Sequence, residues 1–272
     1  MTVSEKAWNR FLSLLRAIDD RAVTEMLDYI AKHPNWNTES GLKLTVDYAY
    51  ALATKYGEAS AAVACEMYDA LATAAGAAVP AAIPAETATY GEVAKTVYGT
   101  VDIGSEKIVA EGVGRLVKTA GADTTLKNAI RDGAFVAWIP TGDTCAYCIS
   151  MAARGWQKAS KDTVKNGHAE HIHANCDCTY AVRFDDKSTV AGYAPEKYLT
   201  MYEKAPLDKW NTPDGKPPKG HEGAEKPTAK NRVNAMRRQF YAENKERINA
   251  EHRSAYAKRR ERESSEAEEI DV

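Results

Sequence analysis

The residues of this chain best equipped for chemistry lie close together, between Trp138 and Phe184. The stretch opens W-I-P-T-G-D-T-C-A-Y-C at Trp138–Cys148. Roughly two dozen residues later it closes H-I-H-A-N-C-D-C-T-Y-A-V-R-F at His171–Phe184. It holds four of the five cysteines and three of the six histidines. Packing gives no reason for such crowding, because structural cysteines scatter through a core. Thiolate and imidazole are the donors that hold Zn²⁺, and a Cys-x-x-Cys turn sets two sulfurs about 2.3 Å from one point. His173 and Cys176, three apart, can both be aimed inward by a turn. Cys176 and Cys178, two apart, point to opposite faces of an extended chain, so binding one ion through both demands a bend. The expected ligands are therefore Cys145, Cys148, His173 and Cys176, with Cys178 or His171 as replacements. Four protein ligands leave no position for a water, which makes the expected zinc structural. The competing readings are a pair of disulfides formed in an oxidising setting, or thiols that hold no metal.

A catalytic zinc is the rival. His168-Ala169-Glu170 matches the His-x-Glu half of zinc nucleobase deaminases, whose other half is Pro-Cys-x-x-Cys. Here the cysteine pair comes first, and Thr144 stands where that motif has Pro. The inverted order argues against deamination, and Glu170 reads as a solvated loop carboxylate. A His-Asn-His nuclease arrangement is not clearly present either. A zinc-dependent enzyme acting on nucleic acid is thus the alternative function.

The elements that must position these donors are legible around them. Ala134–Ile139 is apolar and aromatic and Thr179–Phe184 alternates, so both read as strands. Cys145 and Cys148 are expected in a turn after the first strand, and His173, Cys176 and Cys178 lead into the second. The picture is a metal clasp pinning two strand ends across a loop. Upstream, apolar residues at helical spacing predict helices over Val3–Ala31 and Gly41–Ala75, with Cys65 a core thiol on the second. Pro80–Pro84 is a connector. Short helices are expected at Thr89–Tyr98, Gly104–Thr119 and Thr124–Arg131, the last capped by Asp123 or Thr124. The glycines among them, Gly112, Gly114 and Gly121 included, lack phosphate-loop spacing.

Downstream, Pro195–Lys204 reads as a short helix and Pro206–Pro227 as an exposed linker. A long helix follows over Thr228–Arg262, with Val233, Met236, Phe240, Ile248 and Tyr256 on a thin apolar stripe. Its basic surface carries Arg237, Arg238, Lys245, Arg247, Arg253, Lys258, Arg259 and Arg260, and the final residues turn acidic. Such cations can neutralise DNA phosphates without reading sequence, or the stripe can pair with a partner helix. A solvated helix held by pairs such as Glu243–Arg247 is the plain alternative. The fold class expected is α+β and mostly helical. Its parts are a helical scaffold over 1–132, a Cys/His-stapled module with strands over 133–205, a linker over 206–227 and a basic helix over 228–272.

Size and composition bound these readings. At 272 residues and 29.8 kDa the chain has room for one large or two small domains. A hydrophobic fraction of 44% and a charged fraction of 27% are ordinary for a soluble protein. A net charge of −2 gives no sign of a nucleic-acid or membrane partner for the whole molecule, but the charge is uneven along the chain. No apolar run approaches the ~18 residues that span a bilayer. The N-terminus lacks a signal peptide's basic start and apolar block, so synthesis in the cytosol is expected, where a cysteine cluster reads as metal-binding.

The Cys/His window resembles the Mu F-like minor head proteins of tailed phages, the head-morphogenesis or minor capsid family. That family's pattern is D-x-x-C-x-x-C, a spacer, then H-x-N-C-x-C. The matching residues are Asp143, Cys145 and Cys148, then His173, Asn175, Cys176 and Cys178. The second half departs from the usual Pro-x-His-Pro-x-Cys-Arg-Cys, with Ala174 for the second Pro and Asp177 for the Arg. The likeness covers fewer than about fifty residues. It implies a structural protein present in few copies in the phage head, associated with portal and capsid and made in the host cytoplasm. Related domains are fused to toxin enzymes such as ADP-ribosyltransferases, but no motif here would carry that reaction.

Overall fold

A computed structural model of the chain describes residues 5–101, 105–141, 146–160, 178–190 and 193–204, with residue 250. Helix α1, Glu5–Lys32, buries Trp8, Phe11, Ala22, Met26 and Ile30 at helical spacing. Helix α2, Glu39–Ala75, opens on Thr38, whose hydroxyl accepts from Gly41 N. It closes at Gly76, in the left-handed region at φ +66°. There Gly76 N donates to Thr73 O and Ala77 N to Ala72 O, the paired bonds that satisfy a helix's last carbonyls. Cys65, the expected core thiol, is only half-buried, and burial pushes its thiol up. Helix α3, Tyr90–Val101, starts from a reciprocal cap. Thr89 N donates to Glu92 Oε2 at 2.8 Å, and Glu92 N donates to Thr89 Oγ1 at 3.3 Å.

Helix α4 corrects the sequence reading. Instead of two short helices broken near Gly121, one helix runs Glu106–Arg131. Thr124 caps nothing. Its hydroxyl donates to Ala120 O at 2.7 Å and accepts from Ala85 N at 2.9 Å. The glycines within it are contact points. A β-carbon on Gly112 would lie 2.8 Å from Thr96 Cγ2, one on Gly114 2.6 Å from Asp19 Oδ1, and one on Gly121 2.6 Å from Ser60 Oγ. Helix α4 therefore lies against α3, α1 and α2 in turn, and that packing outweighs the weak helix propensity of glycine.

The 80–85 connector is strapped down by side chains. Asn128 Oδ1 accepts from Ile83 N at 2.9 Å while its Nδ2 donates to Ile83 O at 2.8 Å. Asp69 Oδ1 accepts from Ala82 N, and Arg131 donates to the carbonyls of Pro80 and Ala81. Side chains thus satisfy several backbone groups of this irregular piece.

After α4 the chain turns at Gly133, φ +61°, into β1, Phe135–Ile139. Helix α5, Ala146–Ala153, and β2, Gln157–Lys158, follow. Then come β3, Thr179–Arg183, and helix α6, Pro195–Lys204. The sheet order is β2-β1-β3, antiparallel throughout. Strands β1 and β3 lie within the spans the sequence predicts, whereas two-residue β2 carries no periodicity to reveal it.

Two apolar clusters form the core. In one, Met26, Ile30, Leu42 and Val46 meet Tyr90, Val97 and Val109, all from helices. In the other, Trp8, Tyr68, Leu71 and Leu126 pack with Trp138, Tyr180 and Val182 of the sheet. The protein is mostly helical with one small sheet, as expected. No helix among the described residues is long and apolar enough to cross a membrane. The linker lies outside the described residues, and of the expected C-terminal helix only Ala250 lies within them.

Candidate metal centre

Strand register decides where the two halves of the Cys/His motif can meet. Ile139 faces Thr179 and Trp138 faces Tyr180 in the antiparallel β1–β3 pair. The last residue of β1 therefore sits beside the first residue of β3. Pro140 and Thr141 carry the chain away from that end toward the Cys-x-x-Cys, and Cys178 brings it back one residue before β3. The strand that precedes the Cys-x-x-Cys thus ends beside the start of the strand that follows Cys178. The opposite end is closed by Arg183, which faces Phe135 across the strands. Its guanidinium lies 5.4 Å from the Phe135 ring centre and 4.9 Å from that of Trp156.

Cys148 does not lie in a turn, as expected; it is in the first turn of α5. The segment Ala146–Ala153 is apolar and helix-compatible, and Cys148, Met151 and Ala152 bury one side of it. A spacing of three residues brings side chains together on a helix as it does in a tight turn, so spacing alone could not separate the two. Cys148 has 0% of its surface exposed and belongs to the cluster containing Trp138 and Tyr180. Cys178 is half-buried and packs against that same cluster. Helix α5 contacts β1 and α6. Tyr193 Oη donates to Ala152 O at 2.8 Å, tying the start of α6 to the end of α5. The Tyr198 phenol on α6 is pushed up, first by burial and then by the neighbouring Cys178.

A neutral thiol is at home among apolar side chains, whereas a thiolate buried there needs a cation to offset its desolvation. Of the other expected donors, Cys145, His171, His173 and Cys176 lie outside the described residues, as do His168 and Glu170. Among the described residues no three His, Cys, Asp or Glu side chains gather as a metal group. The basic residues from Arg237 to Arg260 also lie outside them.

One feature beside the strand ends escaped the sequence reading. A cleft of about 400 Å³ opens between α1 and α4, reaching Thr141 and Cys178. At its edge Lys118 Nζ lies 3.1 Å from Asp19 Oδ2, with side chains only 15% and 10% exposed. Both residues fall on helices that periodicity predicts, but no spacing rule pairs positions a hundred residues apart.

A family model described as VG15 protein matches residues 2–205 of the chain. No curated protein and no solved structure matches it.

Proposed function

The chain belongs to the VG15 protein family, a family of phage proteins, and from that premise we propose that it is a structural protein of the phage head, of the minor capsid or head-morphogenesis kind. The likeness of its Cys/His window to Mu F-like minor head proteins supports this reading. In it, Cys145, Cys148, His173 and Cys176 hold a structural zinc, with Cys178 or His171 as replacements. The observation that supports the clasp is the β1–β3 register, which sets Ile139, at the end of the strand before the Cys-x-x-Cys, beside Thr179, the residue after Cys178. Zinc bound by these residues would cross-link the two arms of the motif. The chain's own part is to present Cys148 on the buried face of α5 and to launch the second arm from Cys178. Two five-residue strands with a two-residue third cannot order a long loop by burial alone, so metal binding contributes directly to local folding.

In this reading the partners are the portal and capsid, and the protein resides in the virion after synthesis in the host cytoplasm. The basic stretch from Arg237 to Arg260 holds packaged DNA through its phosphates. The test is metal analysis of the purified full chain with activity assays alongside. One zinc per chain is expected, lost in the Cys145→Ser, Cys148→Ser double variant, with no turnover of nucleic acid before or after. A metal-free wild type would remove the clasp. A hydrolytic or deaminating activity abolished by the double variant would replace the structural role with a catalytic one. Probing purified virions for the chain tests its location, and its absence from heads would overturn the assignment.

A further inference from the structure

The last residue of β3 sets a positive charge where little answers it. Arg183 is half-buried, and its guanidinium lies against the rings of Phe135, directly across the strands, and Trp156. Of its three nitrogens, Nη1 donates to Ser188 O at a long 3.4 Å and Nε is buried with no hydrogen-bond partner. Nη2 makes no bond, and no Asp or Glu among the described residues forms an ion pair with the side chain. Asp185, two residues on, accepts from Ser188 and Lys187 instead. Beside Arg183 is a recess of about 10 Å³, room for one oxygen-sized group. Its other walls include Leu71 and Ala75 at the end of α2, Val182 and Thr189.

We propose that Arg183 and this recess form a binding site for a carboxylate, carried by an Asp or Glu side chain of a partner protein. A charge drawn partly out of water calls for a counter-charge. The edge left over on Arg183, Nε with Nη2, is one that grips a carboxylate in two parallel hydrogen bonds. Rings against the guanidinium hold the fork in place before the ligand arrives, so little freedom is lost in making those bonds. The aliphatic wall selects the ligand. A carboxylate brings two oxygens, both of which the fork satisfies, whereas a phosphate presses further charged oxygens against Leu71, Ala75 and Val182. Arg and Trp are enriched at the energetic centres of protein interfaces, which favours a partner's side chain over a free acid. The C-terminal end of the α2 dipole supplies about half a negative charge near the recess, but it leaves the fork's hydrogen bonds unmade. The site depends neither on the zinc clasp nor on the assignment to the phage head.

The test is a titration of the full chain followed by two nuclear magnetic resonance signals. One is the Arg183 Nε–H, assigned by its loss in Arg183→Lys; the other is the Trp156 indole N–H, assigned by Trp156→Phe. Acetate, glutamate capped at both ends, inorganic phosphate and chloride are each added at constant ionic strength. Acetate and capped glutamate are expected to saturate both signals with one midpoint, on the order of 10–100 mM for a single charge-assisted pair. Phosphate and chloride should not saturate them. The exposed Arg154 is the internal control, expected to drift without saturating. Arg183→Lys keeps the charge and loses the fork, so it should abolish the Trp156 response. No saturation by either carboxylate in the wild-type chain overturns the proposal, whatever the variants do. Phosphate binding as tight as acetate overturns the choice of carboxylate, and a Trp156 response that survives Arg183→Lys overturns the role of the fork. Acetate binding with capped glutamate excluded would replace the partner's side chain with a free acid.

Discussion

Gly41 shows how sharply a single position can be constrained. A β-carbon there would lie 1.8 Å from the Asn35 carbonyl oxygen, inside the turn that joins α1 to α2. Alanine normally gains about 1 kcal/mol over glycine within a helix. Here overpacking reverses the sign, and Gly41→Ala is expected to destabilise by about 1–3 kcal/mol in urea unfolding. A stabilised variant would mean that the turn yields. Asp185 carries a pH dependence of its own. Its carboxyl accepts from the Ser188 hydroxyl, Ser188 N and Lys187 N, which hold it down at about 2 from an ordinary 3.8. A depressed carboxyl contributes its stability above its unfolded value and loses it as pH falls through the folded one. Wild type should therefore lose stability between roughly pH 4 and pH 2 in a way that Asp185→Asn does not. Parallel melting curves across that window would refute the role.

At the scale of elements, the junctions between helix and sheet matter most. Tyr68 on α2 donates to Asp132 Oδ2 at 2.7 Å, and Arg131 Nε donates to Asp132 Oδ1 at 2.7 Å, just where α4 gives way to β1. Burial and then Asp132 push the Tyr68 phenol far up, so it acts as a donor at any ordinary pH. Tyr68→Phe leaves a buried carboxylate short of one donor and is expected to cost about 1.5–3 kcal/mol. An unchanged denaturation midpoint would show that water replaces the hydroxyl. The connector strap makes a sharper case. Asn128→Asp would set an acceptor against the carbonyls of Ile83 and Thr124 that the native amide serves as donor. A loss of about 2–3 kcal/mol is expected at neutral pH. It should shrink under acid, where a protonated carboxyl can donate again. A loss independent of pH would point to altered shape instead. Periodicity located α1, α2 and α3, but it missed α5 and placed a break inside α4. Whether glycine ends a helix or admits a neighbour depends on what lies across from it.

For the whole molecule, the match to the VG15 family ends at residue 205, next to Lys204, the last residue of α6. Among the described residues, which outside that span include only Ala250, both core clusters fall within it. A chain ended after residue 205 is therefore expected to melt cooperatively within about 3 °C of the full chain, a shift worth under ~1 kcal/mol. A larger loss would show that the basic region supports the body. The same truncation should abolish salt-sensitive DNA retention if the cations from Arg237 to Arg260 supply it. The full chain should show log affinity falling linearly with log salt. Retention by the truncated chain would move DNA contact to the body.

The amino-acid order alone determined the amphipathic helices, the two main strands and the Cys/His pattern, because each is written in the spacing of neighbouring residues. It also marked Cys148 and Cys178 as residues to watch, by type and by their distance from the strands. Tertiary structure alone decided that α4 is unbroken, that Gly112, Gly114 and Gly121 are points of close approach, and that Cys148 rides on a helix. Strand pairing, in turn, was needed to set the end of β1 beside the start of β3, and the α1–α4 crossing to open a cleft that reaches Thr141 and Cys178. These features depend on contacts between residues far apart in the chain, and local periodicity carries no record of such partners.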